Sequence, residues 1–351
     1  MSIDWLSIRG LRNLEAVELH PGFGINWLYG DNGAGKTSVL EAIHLLARGR
    51  SFRTGTISGV IQHGCEALSV VARRADGCTL GVERRAKAWR GRVDGRDCQR
   101  VSEFAARLPL VLIEPDSHRL VDGGPDQRRQ YLDWLLFHVE HSYLGTWQRY
   151  ARVLRQRNAA LKAGADDRVL DALDPEFVRA GEAINRLRTA QAERIGRLAV
   201  ELVDTLGFAL PGALAFRYRP GHPADTGLAA AVAESRAMER ERGFSRCGPH
   251  RGELVLTCGG YPAASEMSRG QQKLLAIVLQ LAGLDLLAGR ADSPPLLLLD
   301  DPVSELDQRH LDQLLGWLQS RQVQSWVTAT TPGHDGMAMF HVEQGAIRAM
   351  L

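Results

Sequence analysis

Residues Gly30 to Thr37 spell Gly-Asp-Asn-Gly-Ala-Gly-Lys-Thr, and this string constrains the fold more tightly than any other in the chain. Such a loop works only where a strand feeds it and a helix leaves it, because its backbone N–H groups and the helix N-terminus must converge on one anion. Both neighbours are present. Ile25 to Tyr29 is a short apolar run, and Val39, Leu40, Ile43 and Leu46 recur at helical spacing. The pattern predicts a strand–loop–helix unit holding a nucleoside triphosphate between Gly30, Asp31, Asn32, Gly33, Ala34, Gly35, Lys36, Thr37 and Ser38. Lys36 would reach the β- and γ-phosphates, and the Thr37 hydroxyl would ligate Mg²⁺. A glycine-rich turn that merely caps a helix has no need of the Lys-Thr pair.

Composition narrows the class. A chain of 351 residues can bury a full core, and its formal charge of +2 means that nucleic-acid binding would have to come from local patches. The five cysteines are odd in number, far apart and without metal-ligand spacing, which fits reduced thiols in a cytoplasmic protein. No apolar run approaches the roughly 18 residues of a membrane span, and the N-terminus lacks the features of a signal peptide.

The expected architecture is α/β, a head with a mixed sheet and an antiparallel meander, interrupted by a mostly helical insert. Ile3 to Ile8 and Leu14 to Leu19 read as strands, and alternating runs from Leu68 to Val93 break at Asp76-Gly77, with a further turn at Asp94-Gly95. From Pro125 the period becomes helical. One stripe holds Leu132, Leu135, Leu136 and Val139; a second, capped by Ser142, holds Leu144, Trp147, Ala151, Leu154 and Leu161, with Trp134 and Trp147 expected in the core. A third helix is expected to start near Pro175 and stop at Gly207. Strand character returns near residue 245, so the head is expected to comprise 1–112 plus 246–351 and the insert 113–245.

Leu296 to Leu299 is a buried-strand signal ending in Asp300, which puts a carboxylate where ligands sit in open α/β sheets. Asp300 is the expected partner of the Mg²⁺ held by Thr37, and Asp301 is placed to orient or deprotonate an attacking water. Ser268 precedes an apolar helix in Ser-Arg-Gly-Gln, where a helix N-terminus presents N–H groups to an anion. With Asp307 beyond the acidic pair, this order of motifs resembles the ABC-type ATPase superfamily. The resemblance implies a head-to-head homodimer in which Ser268, Gly270 and Gln271 of one copy close over ATP held by the other, with Asp307 in the loop crossing that interface.

Within the superfamily, Arg50 to Thr54, Ile113 to His118, Gln127 to Asp133, Arg155 to Leu161, Gly248 to Arg251 and Leu299 to Asp307 are similar to blocks of the bacterial RecF family, in order and from end to end of the chain. That resemblance implies DNA as a ligand, single-stranded or at single/double-strand junctions, and partners of the RecR and RecO type. It also implies roles in recombinase loading, DNA repair, replication restart and the SOS response. Two departures from most ABC ATPases stand out. The second acid is Asp301 rather than Glu, which predicts slow hydrolysis. No convincing glutamine fills the Q-loop, Gln62 being a poor substitute, and Thr328 to Thr331 stands where transporter ATPases carry a switch histidine.

Two basic clusters are candidate DNA contacts. Arg84, Arg85, Lys87, Arg90 and Arg92 are the densest part of a segment with nine basic residues against four acidic ones. Arg149, Arg152 and Arg155 repeat at helical spacing, with Arg157 and Lys162 following. Charge alone fits phosphate contacts or a solvated arginine-rich face equally well. The alternative function is a transporter's nucleotide-binding subunit. The 232 positions between Lys36 and Ser268 are more than such a head needs.

Overall fold

Runs with period two form strands and runs with helical spacing form helices in the computed structural model, which describes residues 2–223, 225–289 and 294–350. β1 (Ile3–Leu11) and β2 (Leu14–Leu19) make a hairpin, β3 (Ile25–Tyr29) feeds the glycine-rich loop, and α1 (Lys36–Arg48) leaves it. The meander follows as β4 (Ala67–Arg74), β5 (Thr79–Arg85), β6 (Trp89–Val93) and β7 (Arg96–Cys98), giving an antiparallel sheet ordered β2-β1-β4-β5-β6-β7. α2 (Val101–Arg107) and β8 (Leu110–Ile113) come next.

The helical region contains α3 (Arg119–Asp122), α4 (Pro125–Val139), α5 (Tyr143–Lys162) and α6 (Asp167–Thr205). It continues through β9 (Leu214–Arg219), α7 (Leu228–Arg242), β10 (Glu253–Cys258), β11 (Tyr261–Pro262), α8 (Ala263–Glu266) and α9 (Arg269–Ala288). The chain ends with β12 (Leu296–Leu299), α10 (Pro302–Glu305), α11 (Gln308–Arg321), β13 (Ser325–Ala329), β14 (Ala338–Glu343) and β15 (Ala346–Met350). A second six-stranded sheet, ordered β15-β14-β3-β13-β12-β8, is parallel except for the edge strand β15. Its inner strands β3, β13 and β12 are mostly apolar and buried on both faces, as a doubly covered sheet requires; β12 is four consecutive leucines, all buried.

The chain divides into two compact units, 1–117 with 205–208 and 283–351, and 118–204 with 209–282. The sequence reading put residues 246–282 with the head, whereas here they cluster with the insert. β10 pairs antiparallel with β9 along its whole length, and Arg128 and Arg129 of α4 bind the Glu253 carboxylate and the Gly252 carbonyl. In the first unit, Leu28, Leu40, Ile43, Leu298 and Trp326 share one core with the hairpin and meander residues Ile8, Leu68 and Val70.

Three local expectations need correcting in the second unit. α6 starts eight residues before Pro175, because the turns ahead of the proline are held by Arg236 and Arg240 on Asp167, Asp171 and Asp174. A mid-helix proline removes one backbone bond, and these ion pairs offset that loss. Ser142 precedes α5 but its hydroxyl makes no cap bond; its carbonyl accepts from Thr146 instead. The buried face of α5 is rotated by one residue from the expected stripe, to Tyr143, Thr146, Tyr150, Val153, Arg157 and Leu161, leaving Trp147 42% exposed. The cause is Arg157. Its guanidinium is fully buried, with Nε on Asp174 and Nη1 on Glu239 and Ser245, an ion cluster that hydrophobic periodicity does not register.

Candidate functional site

The strand order explains how distant residues meet. β13 lies between β3, which carries the glycine-rich loop, and β12, which ends in Asp300. The C-terminal ends of the three strands therefore line up, the usual ligand position in a parallel sheet. A cavity of about 450 Å³ opens there, lined by Asn32, Gly33, Gly35, Lys36, Thr37 and Ser38, and also by Arg12, Asn13, Arg53, Asp301, Thr328 and Thr330. Gly30 must be glycine: its φ is +148°, and a Cβ would stand 2.1 Å from the Val342 carbonyl oxygen of β14.

Lys36 is buried, and its Nζ donates to the carbonyls of Gly30 (2.7 Å) and Asp31 (2.8 Å). Burial lowers its pKa, while Asp301, Asp31 and Asp300 pull the other way. The Thr37 hydroxyl donates to Asp300 Oδ1 at 2.8 Å. Thr328 Oγ1 donates to the same Oδ1 at 2.8 Å and accepts the Asp301 N–H at 2.8 Å. One hydroxyl thus ties both acids. It holds Asp301 in the left-handed region, φ +49°, where Asp is tolerated better than most residues. Burial raises the Asp300 pKa, opposed by the bonds from Thr37 and Thr328 and by the charge of Arg53.

A hydroxyl beside a carboxylate is a hard-oxygen donor set that suits Mg²⁺, which keeps waters and phosphate oxygens in its remaining positions. Among the described residues no group of three or more His, Cys, Asp or Glu is placed to hold a metal ion.

Arg12, Asn13 and Glu41 at this site are not picked out by motif or spacing, and Arg53 enters only within the block Arg50 to Thr54. Asn13 braces the loop from the β1–β2 turn. Its Nδ2 donates to Ala34 O (2.9 Å) and Gly33 O (3.3 Å), and its Oδ1 accepts from Ser38 (3.3 Å). Arg12, in the same turn, donates from Nε and Nη2 to Glu41 of α1, both at 2.9 Å. Arg53 lies in the loop after α1, 3.8 Å from the same carboxylate. The two strands are legible in the sequence, but the first runs on to Leu11 rather than ending at Ile8, and the tight turn this leaves leans its tip on the glycine-rich loop.

Ser268 and Gln271 exchange bonds, Gln271 N–H to Ser268 Oγ at 3.4 Å and Ser268 N–H to Gln271 Oε1 at 2.9 Å. This is a capping box on α9, and Ser268, Arg269 and Gly270 are exposed. Asp307 caps α11, accepting the His310 N–H at 2.9 Å, and stands outside the cavity lining. Gln62 bonds Cys65 at 3.6 Å and is also outside that lining.

The two basic clusters differ. On the meander, Arg90 and Arg92 both pair with Asp97, Arg85 pairs with Glu83 and Glu66, and Arg84 is half-buried; Lys87 is exposed. On α5, Arg149, Arg152 and Arg155 are exposed, and no carboxylate partner for them occurs among the described residues. Arg157, expected to extend this cluster, is buried in its ion pairs and cannot reach a ligand.

A family model described as the RecF/RecN/SMC N terminal domain matches residues 2–342. A DNA replication and repair protein RecF from Xanthomonas axonopodis pv. citri is 42% identical, over 99% of this chain and 98% of its own. One from Stenotrophomonas maltophilia is 40% identical over all of both chains. A solved structure described as the recombination mediator protein RecF-ATPrS in the RecFOR pathway is similar at TM-score 0.87 and 25% identity, covering 99% of this chain and 98% of that one. An Smc head domain from Pyrococcus furiosus, at TM-score 0.61 and 17% identity, shares the fold.

Proposed function

The chain belongs to the RecF family of DNA replication and repair proteins, and from that premise we propose that it is an ATP-dependent, DNA-binding recombination mediator that dimerises on ATP. The observation that carries the nucleotide reading is the Thr37–Asp300–Thr328–Asp301 cluster beside Lys36 at aligned strand ends. In this reading the loop amides and Lys36 bind the triphosphate, with Lys36 exchanging its bonds to Gly30 O and Asp31 O for phosphate oxygens. Thr37 and Asp300 would hold Mg²⁺, which supplies charge neutralisation of the phosphates when bound. Asp301, fixed by Thr328, orients the water. A carboxylate one methylene shorter than Glu holds that water less closely, so turnover is slow and ATP serves mainly as a clamp signal.

Exposure of Ser268 and Gly270 suits a signature that closes over ATP in a second copy, with Asp307 nearby in that interface. The unpaired arginines of α5 favour Arg149 and Arg152 over the acid-paired meander arginines as phosphate contacts, without sequence readout. The reading extends to gapped or single-stranded DNA, RecR- and RecO-type partners, recombinase loading, replication restart, SOS induction and a cytoplasmic location. A transporter subunit is not favoured, since the curated relatives that span the chain are RecF proteins.

Sizing the protein with and without ATP and DNA tests the proposal. The expected result is a dimer only with ATP, lost in Lys36→Arg; the same mass in every condition refutes the clamp.

A further inference from the structure

Glu41 is wholly buried in α1, yet it faces two cations and a hydroxyl. Arg12 makes a two-point bond to it and donates Nη1 to the Gly59 carbonyl at 2.5 Å, so this guanidinium is pinned. Ser51 donates to Oε1 and in turn accepts the N–H groups of Arg53 and Thr54, at 3.0 and 3.1 Å, which shapes the loop after α1. Arg53 is held differently: it sits 3.8 Å from Glu41, beyond hydrogen-bond distance, and is nearly half exposed.

Both arginines line the nucleotide cavity, and the charge of Arg53 is felt at Asp300, the Mg²⁺ end of the site. One buried carboxylate against two guanidiniums leaves a net positive charge facing that cavity. A buried carboxylate needs its partners, and here the partners are aimed at the ligand.

We infer that Glu41 is a positioning residue that makes the site prefer a nucleoside triphosphate over a diphosphate, by holding the Arg53 loop toward the terminal phosphate, while Arg12 keeps its place through the Gly59 carbonyl. The inference rests on the nucleotide reading above. Arg12 supplies a fixed charge. Arg53, held by charge without a hydrogen bond, turns to the added phosphate when it arrives, and the Ser51-organised loop follows it.

The test is equilibrium titration of full-length protein with Mg²⁺ and either ATPγS or ADP, alongside thermal unfolding. Glu41→Gln is expected to lower the ratio Kd(ADP)/Kd(ATPγS) at least fivefold through weaker ATPγS binding, with ADP affinity within twofold of wild type. Arg53→Met leaves the Glu41–Arg12 pair intact, so it tests the idea even if Glu41→Gln is poorly folded, and the ratio should fall as much. Glu41→Gln combined with Arg53→Met should change the ratio less than twofold further, because both act through one group. A parallel loss of both affinities at constant ratio, an unchanged ratio in Arg53→Met, or full multiplication in the double variant overturns the inference. Wild-type protein that binds neither nucleotide removes the nucleotide reading, and this inference with it.

Discussion

Replacing Asn13 by Ala should weaken ATPγS binding about 10- to 30-fold. The side chain makes one good bond to the glycine-rich loop, to Ala34 O at 2.9 Å, and two longer ones, to Gly33 O and from Ser38 Oγ, each 3.3 Å. Counting the first at about 1 kcal/mol and the longer pair together at somewhat less gives about 1.4–2 kcal/mol. At about 1.4 kcal/mol per decade, that is the stated range if the loss falls on the bound conformation. It should fall there, because a loop no longer braced must be ordered at the moment of binding. The brace is not wholly redundant. Ala34 O also accepts the Gly345 N–H at 2.8 Å, whereas among the described residues Gly33 O and the Ser38 hydroxyl bond to Asn13 alone. Titration calorimetry with ATPγS measures the affinity, and melting of the free protein checks that the fold survives. Asn13→Asp should be worse than Ala, since it sets a carboxylate against two carbonyls beside the phosphates. Affinity for Asn13→Ala within twofold of wild type, at unchanged melting temperature, would show that the loop needs no brace.

Glu239→Ala leaves the Arg157 guanidinium, fully buried, on Asp174 and Ser245 alone, and should cost about 3–5 kcal/mol in urea unfolding; a loss under about 1 kcal/mol would mean that solvent reaches the cluster. Burial holds the His44 pKa down to about 3, so its folded form is neutral. A depressed histidine leaves stability intact above the unfolded pKa of about 6.5, and stability is lost as pH falls from there toward 3. By pH 4.5 His44 should account for about 3 kcal/mol, a loss that His44→Gln should not show when urea unfolding is compared at pH 7 and pH 4.5. Reversing Arg152 and Arg155 to Glu should weaken DNA binding and flatten its salt dependence, whereas reversing the Asp97-paired Arg90 and Arg92 should do less; the opposite ranking would move the interface to the meander. Asp301→Asn should keep ATP binding and prolong the ATP-dependent dimer in size-exclusion runs, while an unchanged turnover rate would remove its role with water.

What the sequence made legible was local. Ile25 to Tyr29, the glycine-rich loop and α1 are contiguous, so composition and period point to the same unit, and Asp300 is announced by the leucine run before it. Thr328 was located but had no role, because its two bonds exist only once β13 inserts between β3 and β12. Arg12, Asn13 and Glu41 lie in ordinary strand-turn and helix patterns whose meaning comes from packing the hairpin onto α1. Arg157 misled for the same reason: its neutralising carboxylates, Asp174 and Glu239, sit on other helices, and a charge count along the chain cannot see them. Residues 246–282 include the Ser268-Arg-Gly-Gln stretch, yet strand pairing with β9 decides where they pack.

The neighbours of β3 carry a consequence for how the chain is made. Its two sheet partners, β13 and β14, both lie about 300 residues downstream. At roughly 5–20 residues per second, an apolar strand and the loop it feeds leave the ribosome about 15–60 s before anything exists to pair with them. Proteolysis of stalled nascent chains would show this as cleavage near residue 30 that stops once residue 343 is exposed. Until then β3 has no strand on either side and only the upstream turn leans on its loop, which marks this apolar stretch as one a chaperone would cover.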